Sequence, residues 1–215
     1  MLLDAEFCTR WMDAMTAAVE READRLTELD SAIGDADHGV NMRRGFTAVR
    51  EVLGKEPQAT PGAVLMLAGR QLISTVGGAS GPLYGTLLRR AGKALGDAAE
   101  VTPGRLAEAL GAGVAGVAQL GGAKAGDKTM LDALEPAVAA LGAGGDTGGG
   151  PGGGPGGDAF AEAARAAGEG AVATVPLVAR KGRASYLGER SAGHQDPGAT
   201  SSALLFAALA EVAAS

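Results

Sequence analysis

Three times in this chain a capping side chain stands directly before Pro-Gly: Thr60-Pro61-Gly62, Thr102-Pro103-Gly104 and Asp196-Pro197-Gly198. A hydroxyl or carboxylate there accepts a backbone N–H of the first helical turn. Proline, with φ fixed and no N–H to lose, suits the position that follows. Each tripeptide is therefore a helix start, and Ser80-Gly81-Pro82 is a looser copy. These four signals predict helices over 61–76, 82–95, 103–120 and 197–214. Phe7, Trp11, Met15, Val19, Leu26 and Leu29 recur mostly at three- and four-residue spacing, which predicts an amphipathic helix over 4–29. Met42, Phe46, Val49 and Leu53 do the same for 39–53. Two more helices fit 128–141, bent at Pro136, and 158–178, bent near Pro176. No sustained alternation with strand composition occurs, so the expected class is all-α, with eight helices.

The filling material agrees with that class. Apolar residues make up 46% of the chain but aromatics only 3%, so Ala, Gly, Leu and Val must do the packing, which favours closely approaching helices over strands. A length of 215 residues predicts one domain over 1–215. Within it, 142–157 (GAGGDTGGGPGGGPGG) reads as a flexible inserted loop. A net charge of −6 without a basic cluster argues against nucleic acid as a partner. The single Cys8 fits a reducing compartment. No apolar run nears the ~20 residues that span a bilayer, and the MLLDAEF start lacks the basic region of a signal peptide. A cytoplasmic protein without membrane contact is expected.

Four stretches carry candidate chemistry. The segment 30–41 (DSAIGDADHGVN) gathers Asp30, Asp35, Asp37, His38 and Asn41 at a turn between two predicted helices. Neighbouring carboxylates repel unless a cation shares them, and hard oxygen ligands suit Mg²⁺ or Ca²⁺. The other reading is a solvated helix–turn–helix corner. An EF-hand fails on spacing: with Asp35 as position 1, Gly39 falls at position 5 and Phe46 at position 12, where a Glu is required. Gly77-Gly78-Ala79-Ser80 precedes a helix, an arrangement that can cradle phosphate, but it matches neither the dinucleotide nor the P-loop pattern. In 121–130, Lys124 and Lys128 either neutralise phosphate or are solvated loop lysines, and Thr129 and Met130 are candidates for a base pocket. The stretch 180–201 holds Arg180, Lys181, Arg183 and Arg190; it reads as a long functional loop without its own secondary structure, anchored by Tyr186 and Leu187. No nucleophile triad and no carboxylate pair for glycoside chemistry is evident. The chain is equipped to hold a charged nucleotide and poorly equipped to activate an acceptor.

Four long motifs, LDSAIGDADHGVNMRRGF, STVGGASGPLYGT, AGDKTMLDALEPA and GRASYLGERSAGHQDPGATSS, resemble the L subunit (DhaL) family of dihydroxyacetone kinase, in the family's order and from near residue 1 to 215. The resemblance implies an antiparallel barrel of eight amphipathic helices with a nucleotide site at one end. It implies that Asp30, Asp35 and Asp37 hold two Mg²⁺, with His38 and Asn41 at the nucleotide. Ala79 and Ser80 would contact phosphate. Gly121, Thr129, Met130, Arg183, Asp196, Pro197 and Gly198 would complete the ribose and adenine surroundings. The acceptor, dihydroxyacetone, would sit on a histidine of a separate K subunit, which accounts for the missing acceptor chemistry. Without a K domain in this sequence, the expected form is that of the phosphotransferase system, with bound ADP recharged in place by a phosphohistidine M subunit. An ATP-dependent stand-alone L subunit, a Mg–ADP regulatory module and a homodimer stay open. The 142–157 insertion is longer than the family requires.

Overall fold

A computed structural model describes residues 1–145 and 157–215. Among the described residues there are eight α-helices: α1 (Ala5–Ile33), α2 (His38–Lys55), α3 (Pro61–Thr75), α4 (Ser80–Leu95), α5 (Pro103–Gly121), α6 (Leu131–Gly145), α7 (Gly157–Ala173) and α8 (Pro197–Ala213). The only strand-like pairing among them is the isolated bridge between Leu3 and Val101. The predicted class holds. The three Pro-Gly starts behave as expected: Thr60, Thr102 and Asp196 accept the N–H groups of Ala63, Arg105 and Ala199 at 3.2, 3.2 and 2.7 Å.

Each helix packs on the next in sequence, and α8 returns to α1, which closes the ring. Trp11 on α1 fastens that closure: its fully buried indole donates to the carbonyl of Leu205 on α8 at 2.8 Å. Small residues let the helices approach closely. At Gly85 of α4 an added Cβ would lie 2.8 Å from the carbonyl oxygen of Gly69 on α3. At Gly39 of α2 it would lie 1.9 Å from the carbonyl oxygen of Ala23 on α1. The low aromatic content thus becomes backbone-to-backbone contact. Phe46, Tyr84, Phe160 and Phe206 fill what space remains, with the Phe46 and Tyr84 rings edge-on at 6.4 Å.

Several boundaries differ from expectation. Helix α1 runs on to Ile33, so Asp30 lies in its last turn. Helix α4 starts at Ser80 rather than Pro82, with no side-chain cap. Helix α6 passes through Pro136 and ends at Gly145, four residues into the predicted loop, while α7 begins at Gly157 and ends at Ala173, ahead of Pro176. The remainder of that predicted loop, 146–156, lies outside the described residues. The predicted structureless stretch 180–201 contains a 3₁₀ helix, Arg183–Ser191, interrupted at Gly188 (φ 56°).

Candidate functional site

One end of the ring collects the last turns of α1, α3, α5 and α7 and the first turns of α2, α4, α6 and α8. There a cavity of about 380 Å³ opens, lined by thirteen of the fourteen residues that the family resemblance implies for the site: Asp30, Asp35, Asp37, His38, Ala79, Ser80, Gly121, Thr129, Met130, Arg183, Asp196, Pro197 and Gly198. Asn41, one turn along α2, is not on its wall; the side chain is buried, and its Oδ1 accepts from Arg44 at 2.7 Å.

The carboxylate corner is built by local backbone geometry. Ligand oxygens of Asp30, Asp35 and Asp37 all lie within 4.8 Å of one another. Asp30 is buried, and its Oδ2 accepts the N–H groups of Asp37 and His38 at 2.9 and 3.1 Å, folding the chain back over its own carboxylate. Ala36 adopts a left-handed conformation (φ 61°), unusual for a residue other than glycine, between the two exposed acids. Asp37 stands at the N-cap of α2 but makes no capping bond, so its carboxylate is left for the cavity. Among the described residues, the only ion pair made by the three is Asp35 with Arg183, at 2.9 Å. Three acids against one exposed guanidinium leave negative charge that an oxygen-loving divalent cation would neutralise. The donor set fits Mg²⁺.

On the same cavity, Gly77 to Ser80 lead into α4, whose first-turn N–H groups have no helical partners. Ser80, like Asp37, is not spent on a cap: its hydroxyl lies 3.2 Å from His38 Nδ1. Leu83, Val117, Leu120 and Met130 add an apolar wall to the same cavity. Burial lowers the pKa of His38, against the opposing pull of Asp30 and Asp37.

The third wall depends on Lys128, which the sequence offered as a phosphate neutraliser or a solvated lysine. It is neither. Lys128 is 1% exposed, holds φ at 62°, and donates from Nζ to the carbonyls of Thr174 (2.6 Å), Val175 (3.5 Å) and His194. It joins the turn before α6 to the chain leaving α7 and the chain entering α8. Asp127 adds a second tie by accepting the N–H of Arg180 at 3.0 Å. Lys124 is exposed and off the cavity, and Lys181 lines it instead. Of the expected anchors, Leu187 packs against Ile33, Ala179 and Ala184, whereas Tyr186 is 88% exposed.

Burial pushes the Asp196 carboxyl up to about 7, against the pull of the Ala199 N–H and of Lys128. An unfolded Asp titrates near ~3.9. The folded protein therefore keeps a proton that the unfolded chain has lost, and this contribution to stability is lost as pH rises from about 4 through 7. Asp196→Asn keeps a capping oxygen and removes the charge. We expect the melting temperature of the nucleotide-free variant to gain on wild type between pH 5 and 7 and the gain to level off above that. Parallel melting profiles would contradict this.

Fold and site together define an all-α protein in which a carboxylate corner, a glycine-rich helix start and an apolar wall line one cavity. The chain belongs to the DAK2 domain family, whose match covers residues 32–211, and within it to the DhaL subunits of dihydroxyacetone kinase. It is 40% identical over 209 residues to the "PEP-dependent dihydroxyacetone kinase 1, ADP-binding subunit DhaL" of Listeria innocua serovar 6a, covering 97% of each chain. It is 42% identical over 201 residues to the corresponding ADP-binding subunit of Escherichia coli K12, covering 94% of this chain and 93% of that one. Among solved structures, the dihydroxyacetone kinase of C. freundii in complex with AMP-PNP and Mg²⁺ superposes with a TM-score of 0.72 at 29% identity. That match covers 94% of this chain and 33% of the other, so this chain spans about a third of that kinase's length.

Proposed function

We propose that this chain is the nucleotide-binding subunit of a phosphotransferase-system-dependent dihydroxyacetone kinase, a single DhaL-type domain over 1–215 that works in the cytoplasm. It holds ADP and two Mg²⁺ in the cavity and passes a phosphoryl group to dihydroxyacetone bound on a separate K subunit. An M subunit recharges the ADP in place, and the chain works either alone or as a homodimer. The observation that carries the reading is the near end-to-end similarity to ADP-binding subunits. Its chemical counterpart is the convergence of acids, helix start and apolar wall on one cavity.

Bound Mg²⁺ and nucleotide supply the transferable phosphoryl group and the cationic charge that phosphoryl transfer demands. The protein's own share is positioning. Asp30, fixed by two backbone N–H groups, sets where the metal sits, and Asp35 and Asp37 complete the carboxylate face. The start of α4 offers unpaired N–H groups to phosphate, and Arg183 brings a delocalised cation to the same rim. Leu83, Val117, Leu120 and Met130 give the base an apolar seat.

The test combines native mass spectrometry with a coupled assay for glycerone phosphate. Co-purified ADP that survives dialysis, and product formed with the K subunit and a phosphoenolpyruvate-fed relay, are expected. Product with ATP alone would replace the relay by direct ATP use. Product from neither donor would overturn the kinase reading.

A further inference from the structure

A buried hydrogen-bond path runs from the barrel interior to the cavity and ends on Ser80. Tyr84 is 1% exposed, and its hydroxyl lies 2.7 Å from Ser201 Oγ, 2.9 Å from Ser202 Oγ and 3.4 Å from the Gly198 carbonyl. Ser201 Oγ lies 2.9 Å from His38 Nε2 and 3.1 Å from the Gly198 carbonyl. His38 Nδ1 in turn meets Ser80 Oγ at 3.2 Å. Ser201, Ser202 and Tyr84 are buried where an apolar packing residue would otherwise serve, and hydroxyls in such places are kept only when bonded.

The Pro197 carbonyl also accepts from the His38 ring; with that ring neutral, two proton arrangements satisfy the path through the hydroxyls. In the first, Ser201 donates to the Gly198 carbonyl and His38 donates from Nε2 to Ser201. Nδ1 is then an acceptor and draws the Ser80 proton away from the cavity. In the second, Tyr84 donates to Ser201, Ser201 donates to Nε2, and Nδ1–H donates to Ser80. The Ser80 hydrogen is then free to point into the cavity. Burial holds the Tyr84 phenol up to about 12, so it remains a donor throughout. A phosphate oxygen beside Ser80 accepts and cannot donate when ionised, so it selects the second arrangement.

We infer that Tyr84 and Ser201 are positioning residues which, through His38, fix Ser80 as a hydroxyl donor to a phosphate group in the cavity. This rests on the nucleotide-binding reading above. It also gives Ser201 and Tyr84, neither read as a site residue in the sequence, a purpose beyond packing.

The experiment compares ADP with adenosine, both in the presence of Mg²⁺, by calorimetry and by competition. Ser201→Ala is expected to weaken ADP about tenfold, the scale of one hydrogen bond to a charged group, and to leave adenosine unchanged. Ser201→Thr keeps the hydroxyl and is expected to restore ADP affinity. Unchanged ADP affinity in Ser201→Ala overturns the inference. So does an equal loss for ADP and adenosine, which would mean general damage to the wall. A wild-type chain that fails to bind ADP would instead bring down the nucleotide reading. Long-range ¹H–¹⁵N spectra of the wild type need no variant to fold: with ADP bound, His38 is expected to carry its proton on Nδ1 and none on Nε2. A proton on Nε2 alone overturns the inference.

Discussion

Asp35→Ala and Asp37→Ala are each expected to strip nucleotide from the purified protein while leaving the fold intact. Both acids are exposed, so neither substitution opens a cavity or strands a buried partner. Stability should stay within about 0.5 kcal/mol of wild type, and relief of repulsion within the three-acid cluster acts in the favourable direction. Binding is another matter. Loss of a group that merely supports a metal ligand typically costs about 10–100-fold in metal affinity, and these carboxylates face the metal position directly. A drop of about 100-fold or more in ADP affinity is the expected scale. Asp35→Ala also releases Arg183 from its 2.9 Å pair, so its effect on the cavity rim extends beyond the metal. Asp30 makes a poorer test, because it is buried and its carboxylate also holds the N–H groups of Asp37 and His38. Native mass spectrometry decides the matter: either exposed-acid variant carrying stoichiometric ADP would remove the metal assignment.

What could be read from sequence divides along physical lines. Thr60, Thr102 and Asp196 announced their helices because a capping bond is local chemistry, complete within four residues. The start of α4 was misplaced for the opposite reason. Proline at 82 marks a first helical turn but not its first position, and Ser80, the natural cap candidate, turns to His38 instead. Asp37 behaves alike: a residue placed as a cap makes no cap, and both exceptions fall at the site. Glycine misled in another way. Gly142, Gly144 and Gly145 read as the beginning of a loop, yet α6 persists through them, since tertiary packing overrides a weak propensity. The 3₁₀ segment Arg183–Ser191 has no periodic signature strong enough to read. Thirteen of the residues on the cavity wall were legible from residue chemistry and motif resemblance, while the path through Tyr84 and Ser201 exists only in the folded chain. Its links to Ser201 span 117 residues from Tyr84 and 163 from His38.

Lys128 was the least legible residue of all, because lysine is almost never fully buried and composition argues for a solvated side chain. Lys128→Met is therefore expected to have the largest effect on stability. The substitution keeps most of the side-chain length and the strained φ of 62°, and removes only the ammonium. The carbonyls of Thr174 and His194 then lose a charged donor inside the protein. A buried acceptor left without a partner costs about 1–3 kcal/mol, so a loss of about 3 kcal/mol is expected for the pair. For a chain of this size that amounts to a fall of roughly 10 °C in melting temperature. ADP affinity should fall with it, since Thr129 and Met130 follow Lys128 directly and line the cavity. Asp196 also loses the cation that opposes its burial, so the variant's stability should fall more steeply than that of wild type as pH rises toward 8. Lys124→Ala is the matched control, an exposed lysine in the same turn with an expected change of about 0.5 kcal/mol or less. If Lys128→Met melts with wild type, the three carbonyl bonds contribute nothing, and the wall must be held by the Asp127–Arg180 tie and helix packing alone.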